Sequence, residues 1–300
     1  IFTGSSGRVF PKSMKASPLL RSWLIRLSNK GVTFYRNWKW VGWQDDVAAF
    51  ETISGKKFVK SHTTVLAMGG ASWPHLGSDG LWADILKKSN VNITNFQPSN
   101  MGFKVQWSDF MKPFFGTPIK SVRISSGEFS AIGEFVISKK GIEGSGIYAA
   151  SKFLRDGNSL MIDLLPDTEI KTLNKRQKLL SLKVSRSTLN RKVLRLDKGK
   201  TAFFNEFSQH ISTQNIVHAA KNLLIPHEGP HPINEAISTA GGVSESALND
   251  NLMLKAKPSV FCAGEMLDWE APTGGYLISA CLATGKWAGL GAVNYIKSLK

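Results

Sequence analysis

The stretch from Ser259 to Gly285, SVFCAGEMLDWEAPTGGYLISACLATG, constrains the fold of this chain more than any other. Val260 to Ala263 reads as a buried strand, Gly264-Glu265 as a sharp step, and Gly274-Gly275-Tyr276 as the opening of a helix of small and apolar residues. The glycines lack a Cβ, so the backbone there can turn at positive φ and come close to a ligand. The first turn of the helix leaves amides unpaired at the positive end of its dipole. A strand, loop and helix start of this kind suits an electron-rich or anionic group.

Three hundred residues, 42% of them apolar, suffice for a large core and suggest about two domains. The net charge of +16 raises the possibility of a polyanionic partner, but its distribution is uneven. Positions 171, 175, 176, 178, 183, 186, 191, 192, 195, 198 and 200 are Lys or Arg against the single acid Asp197, so residues 171–200 carry ten of the sixteen excess charges. Leucines at 173, 179, 180, 182, 189, 194 and 196 run through this stretch, which predicts helices turning a solvated basic face outward, with RNA binding as the alternative. Cys262 and Cys281 sit in apolar segments, are no C-x-x-C pair and form no disulfide framework; a reduced, cytoplasmic protein is expected. The N-terminus lacks the apolar run of a secretory signal. Tyr276 to Ile296 is long enough to suggest a membrane span, but Lys286 among Gly and Ala predicts a helix buried against a sheet instead. The histidines at 62, 75, 210, 218, 227 and 231 show no metal-ligand spacing, and no metal is expected.

In chain order, a Gly- and Ser-rich loop carrying Arg8, Lys12 and Lys15 leads to an amphipathic helix opened by Ser17-Pro18 and stopped by Asn29-Lys30-Gly31. Short strands are expected at Val32 to Tyr35, Lys39 to Trp43 and Val47 to Thr52, followed by a hairpin turn at Ser54-Gly55-Lys56. Thr63 to Met68 reads as a strand covered on both faces, running into the Gly69-Gly70 loop and a helix over Leu81 to Lys88 capped by Ser78 or Asp79. From Phe96 the texture becomes that of an antiparallel unit, with strands at Gly102 to Trp107, Val122 to Ser125 and Glu134 to Ser138. A helix over Ile147 to Arg155, N-capped by Ser145, and a strand over Ser159 to Leu164 follow. Residues 168–225 look helical, and no internal repeat is visible.

The segments GRVFPKSMKASPLLRSWL (7–24), VLAMGGASWPHLGSDG (65–80), GIEGSGIYAAS (141–151), EAISTAGGV (235–243) and AGEMLDWEAPTGGYLISACLATG (263–285) together resemble the FAD-dependent, HI0933-like flavoproteins, also described as aminoacetone-oxidase-like or BaiN-like NAD(P)/FAD-dependent oxidoreductases. The resemblance spans nearly the whole chain and implies an α/β fold of the two-dinucleotide-binding-domain type: a Rossmann-like FAD-binding domain with an inserted β-barrel and a small helical domain. The expected layout is residues 1–96 for the first part of the FAD-binding domain, 97–167 for the barrel, 168–232 for the basic helical unit and 233–300 for the return of the FAD-binding domain. Members of the family open with a strand and a G-x-G-x-x-G turn that cradles the FAD pyrophosphate. No such pattern precedes Gly7, so the first βαβ unit is expected to be missing from this sequence.

The resemblance also assigns roles. Gly69 and Gly70 correspond to a second backbone approach to the dinucleotide, Gly264 and Glu265 to a Gly-acid pair whose carboxylate accepts ribitol hydroxyls, and Gly274, Gly275 and Tyr276 to amides facing the flavin pyrimidine ring. Asp268 is expected to touch the cofactor. Glu270 reads either as a loop acid or as a contact, and Arg8 and Lys15 suit a phosphate or the flavin. Glu143 and Ser145 are candidates for the substrate pocket. The implied activity is FAD-dependent transfer of hydride between NAD(P)H and a small unsaturated or carbonyl substrate; no acid, base or oligomeric state is assigned. The reading from another class is a non-catalytic polyanion- or RNA-binding protein using residues 171–200, or an inactive flavoprotein fragment.

Overall fold

The computed structural model describes residues 1–5, 7–180 and 184–300. Leu182 and Lys183 of the basic, leucine-bearing stretch lie outside the described residues. A ribbon of β1 (Phe2–Thr3) and β2 (Val9–Phe10) leads into α1 (Ala16–Ser28). The apolar stripe of α1 finds no cover: Leu19, Leu20 and Trp23 are exposed, and no residue of the helix is buried. Val32 to Tyr35, expected as a strand, pairs with no strand among the described residues, and Val32 N–H donates instead to Leu27 O of α1 at 3.1 Å.

The meander β3 (Lys39–Gln44), β4 (Val47–Thr52) and β5 (Gly55–Val59) follows, its first turn made by Asp45 and Asp46, both in the left-handed region as a tight hairpin requires. Strand β6 (Thr64–Leu66) runs to α2 (Trp82–Lys88), where the Asp79 carboxylate accepts the Leu81 N–H at 3.1 Å and so satisfies the helix entry. Then come β7 (Ile93–Ser99) and β8 (Phe103–Lys104), the latter shorter than its sequence suggests.

Strands β9 (Pro118–Ser126), β10 (Phe129–Ser138) and β11 (Gly141–Glu143) lead to α3 (Ser145–Arg155) and β12 (Leu160–Asp163). The N-cap of α3 is Gly144 at φ 111°, not Ser145, because the chain enters the helix through a conformation that glycine tolerates. Helices α4 (Ile170–Lys178), α5 (Arg186–Leu189), α6 (Lys198–Ser208) and α7 (Ile216–Lys221) precede β13 (Leu223–Ile225). A π-helical turn, Asn190–Leu194, prolongs α5.

A six-stranded antiparallel sheet has the order β13-β12-β9-β10-β11-β8. It curls until the chain leaving its one edge meets the other: Lys104 N–H donates to Gly229 O at 2.9 Å, Glu228 N–H to Lys104 O at 2.8 Å, and His231 N–H to Gly102 O at 2.9 Å. The helical stretch expected to run to residue 225 ends at Lys221: Leu223–Ile225 is strand β13, because it pairs antiparallel with β12 at the edge of this sheet. The largest core fills the space between the sheet and the helices, with Phe103, Phe135, Phe203 and Phe204 fully buried. The helical unit is tied down by polar contacts as well. Lys200 Nζ donates to Leu164 O at 2.9 Å, and Lys221 Nζ pairs with Asp163 Oδ2 at 2.7 Å.

Strand β14 (Ser238–Val243) pairs antiparallel with β7, and β15 (Val260–Cys262) pairs in parallel with β6. Helix α8 (Tyr276–Ser298) closes the chain. It packs Ala288, Gly291 and Ala292 against Phe261 and its neighbours and leaves Ile278, Leu282, Trp287, Leu290 and Val293 exposed. The expected burial of this helix, and of β6 on both faces, is therefore not met: α8 is covered on one side only, and Val65 is 41% exposed. Both segments carry apolar residues on more than one side, and part of that surface stays open among the described residues. Among the described residues no helix is long and apolar enough to cross a membrane.

Candidate functional site

The five sequence segments converge on the loop between β15 and α8. Strand β15 is buried along its whole length, and Ala263 N–H continues its ladder to Leu66 O at 2.9 Å. At Gly264 (φ 80°) the backbone turns into a short 3-10 helix, and its N–H donates to Thr284 Oγ1 of α8 at 3.0 Å. Glu265 Oε1 accepts the Thr239 N–H of β14 at 3.0 Å, and Thr239 Oγ1 accepts the Ala71 N–H at 2.9 Å. Three segments distant in sequence thus meet at Thr239.

The expected residues fall into two groups. Gly69 and Gly70 pack against protein. Trp82 donates its indole N–H to Gly69 O at 3.1 Å, Ser78 Oγ donates to Gly70 O at 3.0 Å, and a Cβ on Gly70 would overlap Thr239. Asp268 turns toward β7, where its Oδ2 accepts the Thr94 hydroxyl at 2.6 Å. Lys15 is exposed at the entry of α1, and Tyr276 is exposed on α8. Glu143 ends β11 and does not line the cavity described next.

Ser145, Gly274 and Gly275 are brought together in a cavity of about 320 Å³ with Asn100, Tyr148 and Ser238. Gly275 (φ 89°) begins α8 with open space where a Cβ would stand. The first intrahelical bond is Ser279 N–H to Gly275 O, so the amides of Tyr276, Leu277 and Ile278 have no helix carbonyl to bond. Arg8 arches over Gly274, where a Cβ would lie 2.9 Å from its guanidinium. Asn100, in the left-handed region, donates to Ser238 Oγ and Ala271 O, both at 2.7 Å, and fixes the far wall. Arg155, at the end of α3, clamps Glu270 through both carboxylate oxygens at 2.8 and 2.9 Å, so Glu270 is a structural anchor of the loop.

Tyr148 is the titratable group that sequence reasoning missed. Burial raises its pKa above the ordinary phenol value, the Glu143 carboxylate raises it further, and the Gly144 backbone only partly opposes them. The signal was the helical spacing of positions 145, 148 and 155, which places all three on one face of α3. Asn100 carries no such signal. Burial pushes the Cys262 thiol up to about 12, and burial followed by Glu265 raises that of Cys281, so both are thiols at neutral pH.

The site suits an electron-rich or anionic group: open glycine backbone, free helix-terminal amides and polar side chains share one cavity. Residues 1–291 match the family described as the HI0933-like protein Rossmann domain. The chain is similar to a 3-dehydro-bile acid delta(4,6)-reductase of Clostridium scindens, 23% identical over 98% of this chain and 78% of that protein. It is also similar to a ribosomal RNA dihydrouridine synthase of Escherichia coli, 21% identical over 71% of this chain and 56% of that protein. With the match covering almost its full length, the chain belongs to the HI0933-like Rossmann family.

Proposed function

We propose that the chain acts as an FAD-dependent oxidoreductase. The observation that carries this reading is the opening of α8 at Gly274 and Gly275 into the same cavity as Ser145 and Tyr148. FAD, when bound, supplies hydride transfer between NAD(P)H and a small unsaturated or carbonyl substrate. The free amides of Tyr276 and Leu277 stabilise negative charge on the pyrimidine end of the ring. Glu265 keeps one oxygen on Thr239 and offers the other to a ribitol hydroxyl, while Arg8 serves an anionic part of the cofactor. Tyr148, whose raised pKa holds its proton at neutral pH, donates to the substrate, and Ser145 and Asn100 orient it.

Two measurements test this. The protein is expected to purify with flavin absorbance near one FAD per chain, and a colourless protein that takes up no FAD removes the reading. Tyr148→Phe is expected to slow reduction of the substrate about 10²-fold, while reduction of the bound flavin by NAD(P)H keeps its rate. Equal losses in both half-reactions would assign Tyr148 a structural role.

A further inference from the structure

We propose that the helical unit holds a second ligand site, for a ribonucleoside phosphate, independent of the cavity at Gly274. A cavity of about 720 Å³ lies between the run from Arg186 to Leu196 and α6, with Phe110 on its rim, and shares no lining residue with the first. Arg186, Arg191 and Arg195 line it, and no carboxylate does among the described residues.

The side chains around it lack counterparts. Arg186 is partly buried, donates only to Ser208 and to Ile211 O at 3.1 Å, and rests over the Phe204 ring at 5.5 Å; none of the three arginines has an acidic partner among the described residues. A partly buried guanidinium with no counter-charge favours an anion beside it. Asn190 lines the same cavity and is 3% exposed. Its amide donates to Asn205 Oδ1 at 2.9 Å, but its own Oδ1 is buried with no hydrogen-bond partner, and so is Arg186 Nε. An orphaned acceptor of this kind carries a desolvation cost that a ligand hydroxyl or N–H relieves.

These requirements define one chemistry. The arginines, two of them exposed and free to fork, suit a phosphate. Asn190 asks for a donor, which a ribose hydroxyl supplies. Phe110, 52% exposed, offers a ring face to a base. The basic stretch is therefore not uniformly a solvated face. Arg176 donates to Val193 O at 3.2 Å, Lys200 to Leu164 O, and Arg186 turns inward, while Arg191 and Arg195 stand at the cavity. The nucleotide can be free or a residue of an RNA strand, and the two sources share this chemistry.

The test is binding of AMP, deoxy-AMP, inorganic phosphate and a short labelled oligouridine, by calorimetry and fluorescence anisotropy, to the wild type and to the double variant Arg191→Ala/Arg195→Ala. Both arginines are exposed, so the variant is expected to keep its melting temperature. Saturable binding of AMP or oligouridine that weakens at least tenfold in the variant, with deoxy-AMP and inorganic phosphate weaker than AMP, supports the site. Oligouridine binding more than tenfold tighter than AMP assigns the strand as the source; comparable affinities assign the free nucleotide. Absence of saturable binding by both AMP and oligouridine, binding that the double variant retains, or deoxy-AMP or inorganic phosphate binding as tightly as AMP overturns the proposal. None of these readouts depends on flavin.

Discussion

Replacing Arg155 with leucine is expected to cost about 3–5 kcal/mol of folding stability, read from urea unfolding followed by circular dichroism. The pair it breaks joins α3 to the loop ahead of α8, elements far apart in sequence. Arg155 Nη1 and Nη2 reach the two oxygens of Glu270, Nη1 also donates to Pro98 O at 3.0 Å, and Ser99 Oγ donates to Glu270 Oε1 at 2.9 Å. The two side chains are only 11% and 18% exposed. Removing the guanidinium strands a carboxylate in a poorly solvated place, and that desolvation, more than the lost attraction, sets the size of the effect. The double variant Arg155→Leu/Glu270→Leu is therefore expected to recover most of the loss; no recovery would refute the stranded-charge account.

The same pair predicts a pH dependence. Burial alone raises the Glu270 pKa, but the Arg155 hydrogen bonds and charge outweigh it and leave the carboxyl below the ordinary glutamate range. A depressed carboxyl contributes stability that is present above its unfolded-state pKa and is lost as pH falls through the folded one. The stability gap between wild type and Arg155→Leu is thus expected to narrow in acid below the ordinary glutamate pKa. A gap that stays constant from neutral pH to well below that value would assign the loss to packing of the arginine stem.

Gly242→Ala is expected to be at least as damaging, about 4 kcal/mol or more, and to appear as loss of soluble, cooperatively melting protein. Gly242 lies in β14 at φ 135°, and an added Cβ would overlap the backbone carbonyl of Met266. Neither side can yield cheaply. Gly241 is itself pressed against the Asn95 carbonyl, the β14 ladder is bulged at this point, and Asp268 N–H is bonded to Val243 O at 2.9 Å. The strand therefore holds the step at Gly264 to Met266 at a distance that only glycine permits. Gly285→Ala supplies the control. It lies within α8 with nothing where its Cβ would stand, and is expected to gain about 0.4–1 kcal/mol. A comparable loss from both substitutions would sink the steric argument.

The parts of this protein legible in the sequence were those with local causes. Val260 to Cys262 announces a buried strand by its unbroken apolar run, Gly275 a helix start by its freedom at positive φ, and Ile147 to Arg155 a helix by the glycine punctuation ahead of it, whereas the short strand at Gly141 to Glu143 shows only in its pairing. The meander at Lys39 to Val59 was legible for its alternation and turns, although the Asp45-Asp46 reversal shows only in its dihedrals. Val32 to Tyr35 has the composition of a strand, but a strand exists only where a second strand supplies a ladder, and none does so among the described residues.

The site divides along the same line. Ser145, Gly274 and Gly275 could be named from sequence segments, whereas the cavity they share depends on a curled sheet that brings α3 against the last loop. Glu265 and Glu270 look alike as loop acids in sequence. Tertiary contacts alone separate them, tying one to the Thr239 amide and the other to Arg155.

The loop between β15 and α8 shows where each kind of information stops. Residue chemistry determined its strand, its glycine turns and its helix, because backbone preference and hydrophobic run length act over a few residues. Only the tertiary structure decided which amides stay free, which acid is anchored and which flank of α8 is covered. Those outcomes depend on groups that are not neighbours in the chain, 115 residues apart for Arg155 and Glu270, and proximity across such a distance is a property of the packed fold rather than of any segment.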